Sequence, residues 1–226
     1  MNLPNDGARV LLIDDHPLFR RGITQLLGMA PEFTLVGEAS SGPDGVKAAL
    51  QTSPDLILLD LNMQGQDGIA TLHHLRDAGI DARIIILTVS DSADDLTNAI
   101  RAGADGYLLK DMEPEDLLSN LRESMFGRTV ISPRLIGKLT DVLRGESLAT
   151  SRDDVLLTER ERDILGLIAQ GKSNKLIARE LEIAESTVKV HVKNLLKKLK
   201  LRSRLEAAVW AINRQTRTTD LSPNGK

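Results

Sequence analysis

Five times between Arg9 and Met125 a short run of valine, isoleucine and leucine gives way to a segment of helical periodicity, and this alternation restricts the fold more than any other feature. The runs are Arg9–Ile13, Leu35–Ala39, Asp55–Leu59, Arg83–Val89 and Gly106–Leu109. They read as strands buried on both faces, because β-branched and leucine-rich runs of this length have no polar side to turn to water. The helical segments are Pro17–Met29, Pro43–Gln51, Gly68–Asp77, Ala93–Ala102 and Pro114–Met125. Each right-handed crossover returns the chain to the starting edge of the sheet, so the expected fold is an α/β domain with a five-stranded, doubly wound parallel (βα)5 sheet.

In an open sheet of this kind the chemistry gathers beyond the carboxyl ends of the strands. There stand Asp14 and Asp15 after the first strand, Asp60 after the third, Thr88 near the end of the fourth and Lys110 after the fifth. Three gathered carboxylates repel one another and call for a cation. An oxygen-only set with open positions suits Mg²⁺ better than a soft metal. Lys110 adds a positive charge for an anion and Thr88 a hydroxyl, so the set describes a phosphoryl group carried on a carboxylate beside magnesium. Each residue taken alone reads as a strand-end cap or turn residue.

Other phosphate chemistry fits poorly. No G-x-G-x-x-G follows the first strand and no G-x-x-x-x-G-K-[ST] occurs, which removes the dehydrogenase and NTPase readings. An aspartate-based phosphatase needs a second carboxylate two positions after its nucleophile, and Asp60 is followed by Leu61 and Asn62. The expectation is a phosphoacceptor that catalyses its own modification and not a turnover enzyme.

The segments VLLIDDHPLFRRG, DLILLDLNMQGQDG, ILTVS and GADGYLLKD resemble the receiver domain of bacterial two-component response regulators over about residues 8–128. The resemblance implies that Asp60 accepts a phosphoryl group from a sensor histidine kinase. It implies a Mg²⁺ site of Asp14, Asp15, Asp60 and the backbone carbonyl of Asn62, with Asp15 and Asp60 ligating directly. Lys110 would neutralise the phosphoryl oxygens, Thr88 would move to bond one of them, and Tyr107 would change rotamer with it. From spacing alone Tyr107 is a strand residue. Gln64 departs from the family, which usually has proline there. His16, His73 and His74 read as helix-start or helix-surface residues and receive no role.

Charge divides the chain. Residues 1–130 hold ten basic and twenty acidic side chains, and residues 131–226 hold nineteen and twelve. An acidic half suits a cation and a basic half suits phosphate polymers, although a charge run is most often a solvated face. Residues 129–154 read as a linker, with one helix over Pro133–Leu143 and a small, polar tether over Arg144–Asp154. Residues 155–216 then carry only helical periodicity. Thr158 with Glu161, Ser173, Ser186, and Ser203 with Glu206 are expected to open four short helices. The second and third form a helix-turn-helix.

On the third helix Val188, Val192, Leu195 and Leu199 recur at core spacing, whereas Lys189, Lys193 and Lys197 share an outward stripe. In a major groove Lys189, Val190 and Lys193 would be best placed for bases, and Lys197, Lys198, Lys200 and Arg202 for phosphates. The stretch from LTERERDILGLIAQGKSNK to SRLEAAVWA resembles the LuxR-type DNA-binding domain. Both halves together resemble the NarL/FixJ family. That resemblance implies double-stranded DNA with inverted-repeat promoter sites, a homodimer through Ser203, Val209 and Trp210, and, by whole-chain similarity alone, control of nitrate- and nitrite-responsive genes of anaerobic respiration.

The opposed charges and the tether motivate a further expectation, that the unphosphorylated receiver covers the recognition helix. Two other readings stand beside this one: a magnesium-dependent aspartyl phosphohydrolase, and a DNA-binding regulator indifferent to phosphorylation. The chain has no cysteine, its first residues form no secretion signal, and its apolar runs fall far short of the ~20 residues of a membrane span, so a soluble protein of the cytoplasm is expected.

Overall fold

The computed structural model describes residues 7–63, 66–135 and 157–220. The first domain runs β1 (Ala8–Ile13), α1 (Pro17–Gly28), β2 (Phe33–Ala39), α2 (Gly42–Thr52), β3 (Leu56–Leu59), β4 (Asn62–Met63), β5 (Gln66–Asp67), α3 (Gly68–Asp77), β6 (Arg83–Thr88), α4 (Ala93–Ala102), β7 (Gly106–Leu109), α5 (Pro114–Met125) and β8 (Val130–Ile131). The main sheet has the order β2-β1-β3-β6-β7-β8, and every pairing in it is parallel. The five expected strands are present. The two-residue β8 adds a sixth at the edge, and β4 with β5 forms a short antiparallel ribbon after Asp60. Both additions are too short to carry a hydrophobic period, so pattern reading passes over them.

Strand alternation sorts the core into two layers. Leu11, Ile13, Ile57, Leu59, Ile84 and Ile86 face one side, where Leu72 and Leu75 of α3 and Leu96 and Ile100 of α4 cover them. Val10, Leu12, Leu56, Leu58, Ile85 and Leu87 face the other, against Ile23 and Leu27 of α1 and Leu117 and Leu121 of α5. Successive strand side chains point to opposite faces. An unbroken apolar run is therefore needed where both faces carry helices. The chain departs from β1 toward β2 and resumes at β3 on the other side, which opens a crevice at the carboxyl ends of β1 and β3.

The second domain comprises α6 (Glu159–Ala169), α7 (Asn174–Glu180), α8 (Glu185–Leu199) and α9 (Arg204–Asp220). Thr158 and Glu161 form the expected reciprocal capping box, and the Ser173 hydroxyl accepts from the Leu176 N–H. Helix α8 begins two residues earlier than expected: Ala184, not Ser186, is the N-cap, and no side chain caps it. Val188, Leu195 and Leu199 are buried and Val192 packs at the margin of the same cluster as Ile164, Ile168 and Trp210. The helix over Pro133–Leu143 is described only as far as Leu135. The rest of that helix, the Arg144–Asp154 tether and Gln64 lie outside the described residues, and of the tail over Thr216–Lys226 that the sequence suggests is frayed, the part to Asp220 is helical and the rest lies outside them too.

The two domains touch. Leu205 and Val209 of α9 belong to the same buried cluster as Leu96 and Ile100 of α4. The Arg202 guanidinium donates to Asp77 of α3 at 3.3 Å and lies 3.0 Å from Nδ1 of His73. Gly103, at the end of α4, has φ of 103° and lies so near Arg202 that an added Cβ would come within 2.8 Å of the Arg202 Cβ. Glycine is needed there twice over, for its left-handed conformation and for the close approach.

Candidate functional site

The loop after β1 and the end of β3 bring four ligand atoms, from Asp14, Asp15, His16 and Asp60, within 4.8 Å of one another. Asp14 and Asp60 are almost wholly buried, at 1% and 2% exposure. Their positions follow from the sheet: the Asp60 N–H donates to the Ile13 carbonyl at 2.9 Å, and the Asp14 N–H to the Ala39 carbonyl at 3.0 Å. Lys110, one residue beyond β7, sends its ammonium to Asp14 Oδ2 at 2.6 Å and to Asp60 Oδ2 at 2.7 Å. Phe19 of α1 lies beneath that ammonium, 4.5 Å from nitrogen to ring centre. One buried cation thus neutralises two buried carboxylates, which left alone would carry a large desolvation cost.

The floor of the crevice is equally determined. The Asn62 N–H donates to Asp60 Oδ1 at 3.1 Å, which orients the carboxylate. The Asn62 side chain donates to the Thr88 hydroxyl at 3.2 Å, and the Ser90 N–H reaches the same oxygen at 3.2 Å. Thr88 is fully buried at the end of β6. Tyr107 of β7 is buried as well, and its hydroxyl donates to the Ser90 carbonyl at 3.0 Å. Burial pushes the Tyr107 phenol well above its ordinary range, so it remains a donor throughout the physiological span. Gly68 closes the loop: an added Cβ would lie 2.5 Å from the Asp60 carbonyl oxygen and from Leu61 Cα. No side chain fits between the start of α3 and the segment that follows Asp60.

All seven receiver residues expected from the sequence, Asp14, Asp15, Asp60, Asn62, Thr88, Tyr107 and Lys110, therefore line or border one crevice. One neighbour escaped sequence reading. His16 Nδ1 lies 2.8 Å from Asp15 Oδ1, 3.3 Å from Asp14 Oδ1 and 3.6 Å from Asp60 Oδ2. Its only signal in the sequence is adjacency to two aspartates. Three clustered carboxylates and a nearby imidazole form a donor set that fits a hard or borderline dication.

The basic face presents a different picture. Lys189, Val190, Lys193, Lys197, Lys198, Lys200 and Arg202 are all exposed. Lys189, Val190 and Lys193 nevertheless line a cleft of about 480 Å³ whose other wall includes Asp55, Asp81 and Arg83 of the receiver. Lys198 donates to Glu161 at 2.7 Å, so it ties α8 to α6. Arg202 reaches the receiver instead of standing free, and His73, to which the sequence assigned nothing, is its neighbour. Ser203, Val209 and Trp210 are buried within this single chain. At the same boundary Arg204 donates to Asn174 at 2.9 Å and to the Lys172 carbonyl, and burial with nearby Arg83 pushes its guanidinium down to about 9.

Comparison with known proteins agrees with both halves. Residues 10–122 match the response regulator receiver domain, and residues 155–211 match the luxR family of bacterial regulatory proteins. The chain is 56% identical over 205 residues to the nitrate/nitrite response regulator protein NarL of Escherichia coli, covering 91% of this chain and 95% of that protein. It is 50% identical over 206 residues to a nitrate/nitrite response regulator protein homolog of Haemophilus influenzae, covering 90% and 96%. A LuxR-family two-component response regulator from Aurantimonas superposes with a TM-score of 0.58 at 31% identity, covering 62% of this chain and 99% of that one. Among the described residues no helix is long and apolar enough to cross a membrane. An acidic crevice in a doubly wound sheet, a helical second domain and these relatives make the chain a member of the response regulators that join a receiver domain to a LuxR-type DNA-binding domain.

Proposed function

We propose that this protein is a cytoplasmic transcription regulator switched by phosphorylation of Asp60. The observation that carries the reading is the Lys110 ammonium held between Asp14 and Asp60 in a crevice that also presents Thr88. Asp60 Oδ2 attacks the phosphorus of a phosphohistidine on a sensor kinase, the new O–P bond forms as the N–P bond breaks, and the imidazole nitrogen leaves with the N–P electron pair and takes a proton from solvent. Asn62 holds Oδ1 through its N–H and so aims the other oxygen. Asp14, Asp15, Asp60 and the Asn62 carbonyl fit Mg²⁺, which would supply charge neutralisation for the phosphoryl oxygens when bound. Lys110 turns from the carboxylates to a phosphoryl oxygen, adding a second positive charge.

The signal leaves through Thr88. To donate to the phosphoryl group its hydroxyl gives up Asn62 and Ser90, and Ser90 is also the partner of Tyr107. The β6–α4 loop that carries Ser90 leads into α4, whose far end meets Arg202 and whose apolar face packs with Leu205 and Val209. A shift of α4 therefore acts on the contact between domains. In the docked arrangement Lys189, Val190 and Lys193 face the receiver across the cleft, so a major groove reaches them only after opening. Opening also releases Val209, from which a homodimer on inverted-repeat DNA would be built. The masking combines contact surfaces with opposed net charge, because charge alone is screened beyond about 8 Å at physiological salt.

The similarity to nitrate/nitrite response regulators supports nitrate- and nitrite-responsive genes as targets. The test of the switch is treatment of the full chain with acetyl phosphate and Mg²⁺, followed by peptide mass analysis. One phosphoryl group on the peptide containing Asp60, absent in Asp60→Asn, supports the reading. Continuous release of phosphate from small esters would instead support a phosphohydrolase.

A further inference from the structure

Helix α4 opens with the pattern of a reciprocal cap, Ser92 at the N-cap and Asp95 three residues on. Half of the closure is present: the Ser92 hydroxyl accepts from the Asp94 and Asp95 N–H groups at 3.2 and 3.5 Å. The other half is interrupted. In α6 the Glu161 carboxylate accepts straight from the Thr158 N–H. In α4 the Asp95 carboxylate accepts instead from the Ser90 hydroxyl at 2.5 Å, and the Ser92 N–H donates to that same hydroxyl at 3.2 Å. The Ser90 side chain is thus wedged between two groups that would otherwise bond each other. Its backbone meanwhile serves the switch, with its N–H 3.2 Å from the Thr88 hydroxyl and its carbonyl accepting from Tyr107 at 3.0 Å.

We propose that the cap of α4 has two closings, which exchange when Asp60 is phosphorylated. At rest the Ser90 hydroxyl bridges Ser92 and Asp95; in the active form it withdraws, and Asp95 accepts the Ser92 N–H directly. The inference rests on the proposed movement of Thr88 and deepens it by naming what that movement does to α4. When Thr88 turns to the phosphoryl group, the Ser90 N–H loses its partner and the loop can carry the hydroxyl out. Both closings satisfy the Ser92 N–H and the Asp95 carboxylate, and the partly exposed Ser90 side chain can pass to water, so neither state strands a polar group. Two discrete arrangements of one cap convert a small shift of the loop into a new setting of the first turn of α4, the helix that packs with Leu205 and Val209. Ser90 acts here as a positioning residue.

Ser90→Ala removes the wedge and keeps both backbone bonds, so it isolates the hydroxyl. Unphosphorylated full chain carrying Ser90→Ala is expected to bind an inverted-repeat duplex about fivefold more tightly than wild type, and Ser90→Thr is expected to restore the wild-type value. Adding Asp95→Ala to Ser90→Ala should abolish the gain, because the direct closing needs the carboxylate. Nuclear magnetic resonance of the ¹⁵N-labelled full chain reads the exchange itself. An N–H bonded to a carboxylate resonates downfield of one bonded to a hydroxyl. The Ser92 amide should therefore move downfield in unphosphorylated Ser90→Ala, and in wild type on treatment with acetyl phosphate and Mg²⁺. A Ser92 amide that keeps its position while Asp60 is phosphorylated overturns the proposal, as does wild-type DNA affinity in Ser90→Ala; both leave the phosphoacceptor reading standing. Equal loss of affinity by Ser90→Ala with and without phosphorylation marks a purely structural role and overturns it too. A wild type that gains no DNA affinity on phosphorylation removes the switch reading itself.

Discussion

The Lys110 ammonium lies 2.7 Å from Asp60 and 2.6 Å from Asp14, so one side chain offsets two carboxylates that are almost shut off from water. Removing one member of such a buried set costs about 3–5 kcal/mol, because the others remain as uncompensated charge. Lys110→Met is expected to lower the melting temperature. Mg²⁺ should then raise that temperature more in the variant than in the wild type, since a dication replaces the missing charge. Calorimetry with and without Mg²⁺ checks this, and equal shifts in both proteins would contradict it.

Gly68 sits where an added Cβ would come 2.5 Å from the Asp60 carbonyl oxygen. The three nearest atoms, the Asp60 carbonyl oxygen and the Cα and carbonyl oxygen of Leu61, are all backbone, so the loop after Asp60 must move to admit a methyl group. Gly68→Ala should cost about 1–3 kcal/mol of stability and slow labelling by acetyl phosphate. A variant that labels at the wild-type rate would show that the loop yields without moving the carboxylate.

Contact between the domains includes the pair Arg202 and Asp77, at 3.3 Å on an exposed rim. Arg202 is also one of the proposed DNA contacts, so the informative change is on the receiver. Asp77→Ala removes up to about 1 kcal/mol from the docked form and should raise the DNA affinity of unphosphorylated protein by up to about fivefold. Fluorescence anisotropy with a labelled duplex measures it. Unchanged or weaker binding would argue that this pair does not hold the closed form.

Glu161 carries a pH signature for the helical domain. Burial pushes its carboxyl up, but the hydrogen bonds from the Lys198 ammonium and from Thr158 outweigh this and hold it below the usual value of 4.5. A carboxyl lowered in the folded state contributes stability that is present above its unfolded value and is lost as pH falls through its folded value. Glu161→Gln should therefore cost roughly 1–2 kcal/mol at neutral pH, and much less once the medium is acidic enough to protonate Glu161 in the folded chain. Denaturant titrations of both proteins from pH 7 down to about pH 3 test the convergence.

Most of the receiver is legible in the sequence because burial on both faces forces whole strands to be apolar, and strand ends then announce themselves as Asp14, Asp60 and Lys110. The capping box at Thr158 and Glu161 is legible for the same local reason. What escapes depends on distant partners. Val130 and Ile131 pair as a strand only because β7 lies beside them. The partners that Lys198 and Arg202 find in Glu161 and Asp77 leave no mark in the sequence, and His73 acquires a neighbour only through Arg202. His16 is hidden by a different cause: helix-start position is the ordinary use of such a residue, and only the folded loop turns Nδ1 toward the carboxylates.

The central claim is that modification of Asp60 governs DNA binding by α8. Its most direct test is a titration in which the fraction of full chain phosphorylated at Asp60 and the affinity for an inverted-repeat duplex are measured on the same samples. The account predicts that affinity rises in step with the phosphorylated fraction and that Asp60→Asn stays at the low starting value. Full phosphorylation with unchanged affinity would contradict it.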